Sequence, residues 1–158
     1  MKLNKKGFTL VELLAVIVVL AVIMVIAIPT VIDSMNSAKK SSFAMYGQKM
    51  LNAAMSKVQG DALNGVGAQQ TYKFSELVAS SGQYKGYVKY DASTNKYTVY
   101  FYNTDYMANG ANYDDLESWK KADCSANSTT VDPVCGKFFN STDKGYTDNK
   151  DDIEAKSK

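Results

Sequence analysis

The stretch Lys5-Lys6-Gly7-Phe8-Thr9-Leu10-Val11-Glu12-Leu13-Leu14, followed by apolar residues as far as Ile32, decides the reading of this chain. From Leu13 to Ile32 no residue carries a charge. At about 1.5 Å per residue that run makes roughly 30 Å of helix, the thickness of a bilayer's hydrocarbon core. β-Branched Val and Ile dominate it, and they are mediocre helix formers in water. In lipid, only intrahelical hydrogen bonds satisfy the backbone, so the helix forms regardless. Three Lys precede the run, which sets the N-terminus on the cytoplasmic side. A cleaved secretory signal has an apolar region of about 7–15 residues ending at a small-x-small site. This run is longer and ends Ile-Pro-Thr-Val-Ile-Asp, so it reads as a retained anchor.

Glu12 stands out in this setting. A carboxylate within a spanning segment costs about 2.5–3.5 kcal/mol at the helix centre and less near its edge. One account places it at headgroup depth, near a helix N-terminus whose dipole favours an anion. The other account starts from Gly7-Phe8, four residues upstream. Cleavage there creates an α-amine at Phe8, and in an array of parallel helices one chain's amine neutralises a neighbour's Glu12.

These residues resemble the processing signal of type IV pilins and of the pseudopilins of secretion and competence systems. In that family a short basic leader ends in Gly, a membrane aspartyl peptidase cuts before the next residue, and the new N-terminus is N-methylated. The fifth residue of the mature chain is Glu. Lys5 and Lys6, Gly7, Phe8 and Glu12 supply each of these features, and Pro29 falls where many pilins also have proline. The resemblance covers about the first 32 residues. It implies cleavage after Gly7, methylation at Phe8, assembly through Glu12 and Pro29, and a helical filament of identical subunits. It further implies partners: membrane lipid before assembly, a prepilin peptidase, and the assembly platform and motor proteins. The subunit would begin as a single-pass protein of the cytoplasmic membrane and end in a surface filament.

Composition narrows the rest. The chain has 158 residues, 46% of them hydrophobic and 22% charged, as in a folded protein. All 18 basic residues are Lys, and His is absent. That excludes Ser-His-Asp and Cys-His catalysis and any imidazole-ligated metal. Two cysteines cannot close a four-ligand site, and no phosphate-cradling glycine motif is present. The expectation is a structural protein without enzymatic activity or cofactor. The net charge of +2 hides a sorted distribution. Residues 30–59 carry Lys39, Lys40, Lys49 and Lys57 against Asp33 alone, whereas acids outnumber Lys beyond residue 60. An acidic body without Arg is a poor nucleic-acid binder.

The expected fold is α+β: a leader over 1–7, an anchor and filament-core helix over 8–32, its amphipathic second half over 33–59, and a head over 60–158. Pro29 lacks an N–H and clashes with the carbonyl of Val25, so the helix is expected to kink or loosen there. Met35, Ala38, Phe43, Tyr46, Met50, Ala54 and Val58 trace an apolar stripe facing a sheet, with Lys39, Lys40, Gln48, Lys49 and Lys57 mostly elsewhere. Gly60 is the expected C-cap. Residues 61–83 read as a polar loop and then a short helix near 74–79, with Ser75 as N-cap.

A hairpin follows, Tyr84–Tyr90 and Lys96–Tyr102 around an Asp91-Ala-Ser-Thr-Asn95 turn, with Tyr97, Val99 and Phe101 on one face. Its other aromatics are expected to decorate a solvated face. With Lys85, Lys89 and Lys96 they offer a surface for DNA or carbohydrate. A short helix is expected over 114–121. Cys124 and Cys135 suit a loop-closing disulfide worth about 3 kcal/mol, with free thiols as the alternative. Many pilins close a C-terminal loop this way. The triplets at Asn127 and Asn140 match the glycosylation pattern, which Ser-rich loops also generate by chance. Residues 141–158, almost wholly polar, are expected to fray.

Overall fold

A computed structural model describes residues 8–122, 124 and 134–157. The first helix, α1, runs Leu10–Leu63. The chain divides into two compact units between Lys39 and Lys40, and each is described separately.

In the first unit every described residue through Lys39 is exposed. Helix α1 here is apolar on all sides, with a mean hydropathy of 3.2 over its most apolar window, and is long enough to cross a membrane. Met35 and Ala38 belong to this exposed portion, so the buried stripe begins later, at Phe43. The helix passes through Pro29 without interruption. Nearby, Thr30 Oγ1 donates to the Ile26 carbonyl at 3.4 Å, and Ser34 Oγ donates to the Thr30 carbonyl at 2.8 Å. Such back-bonding satisfies hydroxyls that would otherwise face lipid unpaired.

The second unit is an α+β head. From Lys40 onward α1 buries Phe43, Ala44, Gly47, Met50, Leu51, Ala54 and Val58 at helical spacing. They face one side of a five-stranded antiparallel sheet in the order β1-β2-β3-β4-β5. The strands are β1 (Thr71–Lys73), β2 (Lys85–Asp91), β3 (Lys96–Tyr102), β4 (Tyr106–Ala111) and β5 (Phe138–Asn140). Among the described residues the unit also holds three α-helices, α2 (Phe74–Leu77), α3 (Tyr113–Lys121) and α4 (Lys144–Ser157), and a short 3-10 turn at Cys135–Lys137. The core joins the α1 stripe to Val88, Val99, Phe101 and Ala108 of the sheet and to Leu116 and Trp119 of α3. Phe43 stacks on Phe101 with ring centroids 4.2 Å apart, and Trp119 stacks on Phe138 at 4.6 Å. Gly47 permits this approach, because a Cβ there would sit 2.9 Å from the Phe101 ring.

Further expectations are corrected in the head. Gly60 lies inside α1, and the helix ends at Leu63. Gly65, at φ +72°, takes the left-handed turn that follows. The stretch before α2 contains β1, three residues too short to show alternation, whose pairing with β2 is tertiary. The N-cap of α2 is Lys73, not Ser75; the Lys73 N–H donates to Glu76 at 3.2 Å. Gln48 is buried, and its amide donates to Glu117 at 3.1 Å.

The largest correction concerns the C-terminal residues, which form α4 instead of fraying. Helix α4 covers the second face of the sheet, where Tyr146 and Ile153 join Tyr87, Tyr102 and Met107 in a separate buried cluster. That face is therefore only partly solvated. The Tyr146 hydroxyl donates to the Asn103 carbonyl, and the Asn103 side chain accepts from the Asp105 and Tyr106 N–H groups at 3.0 and 2.7 Å. Asn109 donates to Asn149 at 2.9 Å.

Tyr146→Phe should leave a buried carbonyl unmet and lower head stability by about 1–3 kcal/mol. Denaturant unfolding of the two proteins measures it, and equal midpoints would contradict it. Burial first, and then the hydrogen bond and charge of Glu154, push the Tyr102 phenol up to about 12. A raised folded-state pKa contributes stability that is complete below the unfolded value near 10 and lost as pH rises through about 12. Alkaline spectrophotometric titration should thus show the Tyr102 phenol among those that ionise late, its ionisation accompanied by loss of helical signal from α4.

Candidate functional sites

The N-terminal site begins with the start of α1. Thr9 occupies the N-cap: its carbonyl accepts the first helical bond, from the Leu13 N–H at 3.2 Å. Its hydroxyl accepts from the Glu12 N–H at 3.3 Å. In return Glu12 Oε2 accepts from both the Thr9 N–H and the Thr9 hydroxyl at 2.8 Å. This is a reciprocal capping box with Glu12 at the third helical position. It satisfies the carboxylate within its own chain and sets an anion against the positive end of the helix. The signal was legible as Thr-x-x-Glu before an apolar run, and sequence reasoning missed Thr9's part in it.

Phe8 precedes the cap and is exposed. Pro29 lies far down the same helix and takes no part in the cap. Lys5, Lys6 and Gly7 lie outside the described residues, as does Asn127. Asn140 is exposed at the end of β5.

Cys124 and Cys135 are bonded, with Cα atoms 5.4 Å apart. Lys40 secures the neighbouring segment from α1. Its ammonium donates to the Ala122 carbonyl at 2.5 Å and lies 4.9 Å from the Trp119 ring centroid. A cation at the carbonyl end of α3 is favoured by the helix dipole and by the ring face together.

Lys85, Lys89 and Lys96 do not share one set of contacts. Lys85 pairs with Glu154 of α4 at 3.4 Å. Lys89 and Lys96 lie farther along the hairpin, beside an open groove of about 680 Å³. Among the described residues no cluster of His, Cys, Asp or Glu side chains is arranged to hold a metal ion.

Residues 2–28 match the family described as the prokaryotic N-terminal methylation motif. This is the prepilin-type cleavage and methylation signal of type IV pilins and pseudopilins. Neither the curated proteins nor the solved structures include a significant match to the chain. The signal and the α+β fold indicate a structural protein of pilin-like architecture.

Proposed function

We propose that this chain is a type IV pilin: it is inserted in the membrane, cleaved between Gly7 and Phe8, methylated on Phe8, and polymerised through its N-terminal helix into a surface filament. The leader would be residues 1–7, with Lys5 and Lys6 as its basic part, and the filament core would be formed by residues 8–32. One observation carries the reading. The methylation motif overlaps a helix whose residues from Leu13 to Ile32 are exposed, uncharged and, Thr30 apart, apolar. Such a surface requires lipid or other copies of itself.

Assembly would exchange the first environment for the second. In lipid, Thr9 holds the Glu12 carboxylate; in the filament, the amine of a neighbouring Phe8 would take it as a counter-ion. Pro29 would let the helix extend on packing. The motif implies processing by a prepilin peptidase, and the assembly platform and motor would follow.

The test is the mass of the N-terminal peptide of protein from native membrane or surface fractions. A peptide beginning at Phe8, with or without one added methyl group, is expected. A chain still beginning at Met1 in processing-competent cells would overturn the proposal. The same signal occurs in pseudopilins, which build short assemblies. Long filaments of this subunit sheared from cells would separate the pilin from that alternative.

A further inference from the structure

We propose that the groove at the tip of the β2–β3 hairpin binds acidic polysaccharide, with Lys89 and Lys96 holding its carboxylates. The inference does not rest on filament assembly.

The register places the site. Lys89 lies opposite Thr98, and Lys96 opposite Asp91. Both lysines therefore share the sheet face of Tyr87 and Tyr100, the face that α4 covers in part. Around Lys89 and Lys96 that face is open, and Gln70, Ser93, Thr98 and Tyr100 contribute to the lining of the groove. Both lysines are exposed, and among the described residues neither side chain forms an ion pair or hydrogen bond. The one carboxylate in the lining, Asp91, is already engaged. It accepts from the Ser93 N–H at 3.0 Å, the Ser93 hydroxyl at 2.6 Å and the Thr94 hydroxyl at 2.8 Å. Those bonds hold its pKa at about 2 and fix the turn between the strands. The two ammonium groups are diagonal neighbours on adjacent strands, about 7–8 Å apart at their Cα atoms. Hydroxyl and amide groups around them suit the hydroxyls of sugar rings.

Nucleic acid fits less well. Single-stranded binders offer open aromatic faces on which bases stack. Here Tyr100 stacks on Tyr87 with centroids 4.9 Å apart, and Tyr90 stacks on Tyr97 at 4.7 Å.

The full chain in non-ionic detergent micelles would be tested against immobilised polygalacturonate, neutral dextran and oligo-dT. Polygalacturonate binding is expected, weakening as salt rises, with no retention on dextran. The double substitution Lys89→Gln with Lys96→Gln should weaken binding by about tenfold or more, and replacing both by Arg should preserve it. Replacing Lys49 and Lys144 by Gln removes as much charge elsewhere and should leave binding unchanged. An equal loss in that control, an unaffected groove variant, or no binding to polygalacturonate would overturn the site. Tighter binding to oligo-dT than to polygalacturonate would overturn the ligand class in favour of nucleic acid.

Discussion

Glu12→Ala should abolish surface filaments, or reduce them to traces, while the protein still partitions with the membrane. Insertion depends on the uncharged run from Leu13 to Ile32, which the substitution leaves intact. Losing the capping box costs about 0.5–2 kcal/mol at the helix start, too little to keep so apolar a segment out of lipid. Assembly is more demanding. Without Glu12 the proposed pairing is gone, and each Phe8 amine would enter a bundle of helices with no counter-ion. Glu12→Gln separates the two roles, because an amide oxygen still accepts from Thr9 but carries no charge. Gln should therefore restore the cap without restoring filaments. Membrane fractionation and immunoblotting of sheared material read both properties, and normal filament yield from either variant would refute the pairing.

The second large effect lies in the head. Phe101→Ala should destabilise it by about 3–5 kcal/mol, a large share of the ~5–15 kcal/mol that holds a typical domain. Phe101 is fully buried and stacks on Phe43, and its ring lies within 6.3 Å of the Phe74, Tyr84 and Tyr46 rings. Gly47 and Gly86 both leave room for it; a Cβ at Gly86 would meet Phe101 Cβ at 2.5 Å. Truncation would leave a cavity between helix and sheet that neither rigid element can close. The single tryptophan reports on that core, since Trp119 lies 5.6 Å from Phe43. Urea unfolding followed by its fluorescence should show a much lower midpoint. Val66→Ala, at an exposed loop position, should change stability by less than about 0.5 kcal/mol. Equal midpoints for the two variants would contradict this account of the core.

What the sequence disclosed follows the range over which each signal acts. The apolar run, its basic flank and the Gly7-Phe8 to Glu12 spacing are local, and the matched motif lies within them. The hairpin was legible because strand-forming residues, rich in Tyr and Val, flank a cluster of turn residues over 91–95. Tyr97, Val99 and Phe101 do share the face that meets the core. Strand β1 was not legible, since three residues carry no period and its partner is another strand. Helix α4 hid for a different reason. Tyr146 and Ile153, two turns apart, are its only buried side chains, and the intervening residues are mostly polar. A helix held by two anchors and a few hydrogen bonds reads as disorder until the surface receiving it is known. The sequence grouped Lys85 with Lys89 and Lys96 as one possible binding surface; the bridge from Lys85 to Glu154, which sets it apart, required α4.

Helix α4 also bears on the timing of biosynthesis. The apolar part of α1 is translated before the sheet, and α4, which closes the second face of the sheet, is translated after it. Until Lys144–Ser157 have emerged, Tyr87, Tyr102 and Met107 are left without their cover. Under the proposed topology, the nascent head would complete its folding only after α4 has crossed the membrane, with the N-terminal helix already tethering it there. A fusion or truncation that disturbs Ile153 would prolong the interval in which that bare face meets proteases and other nascent chains.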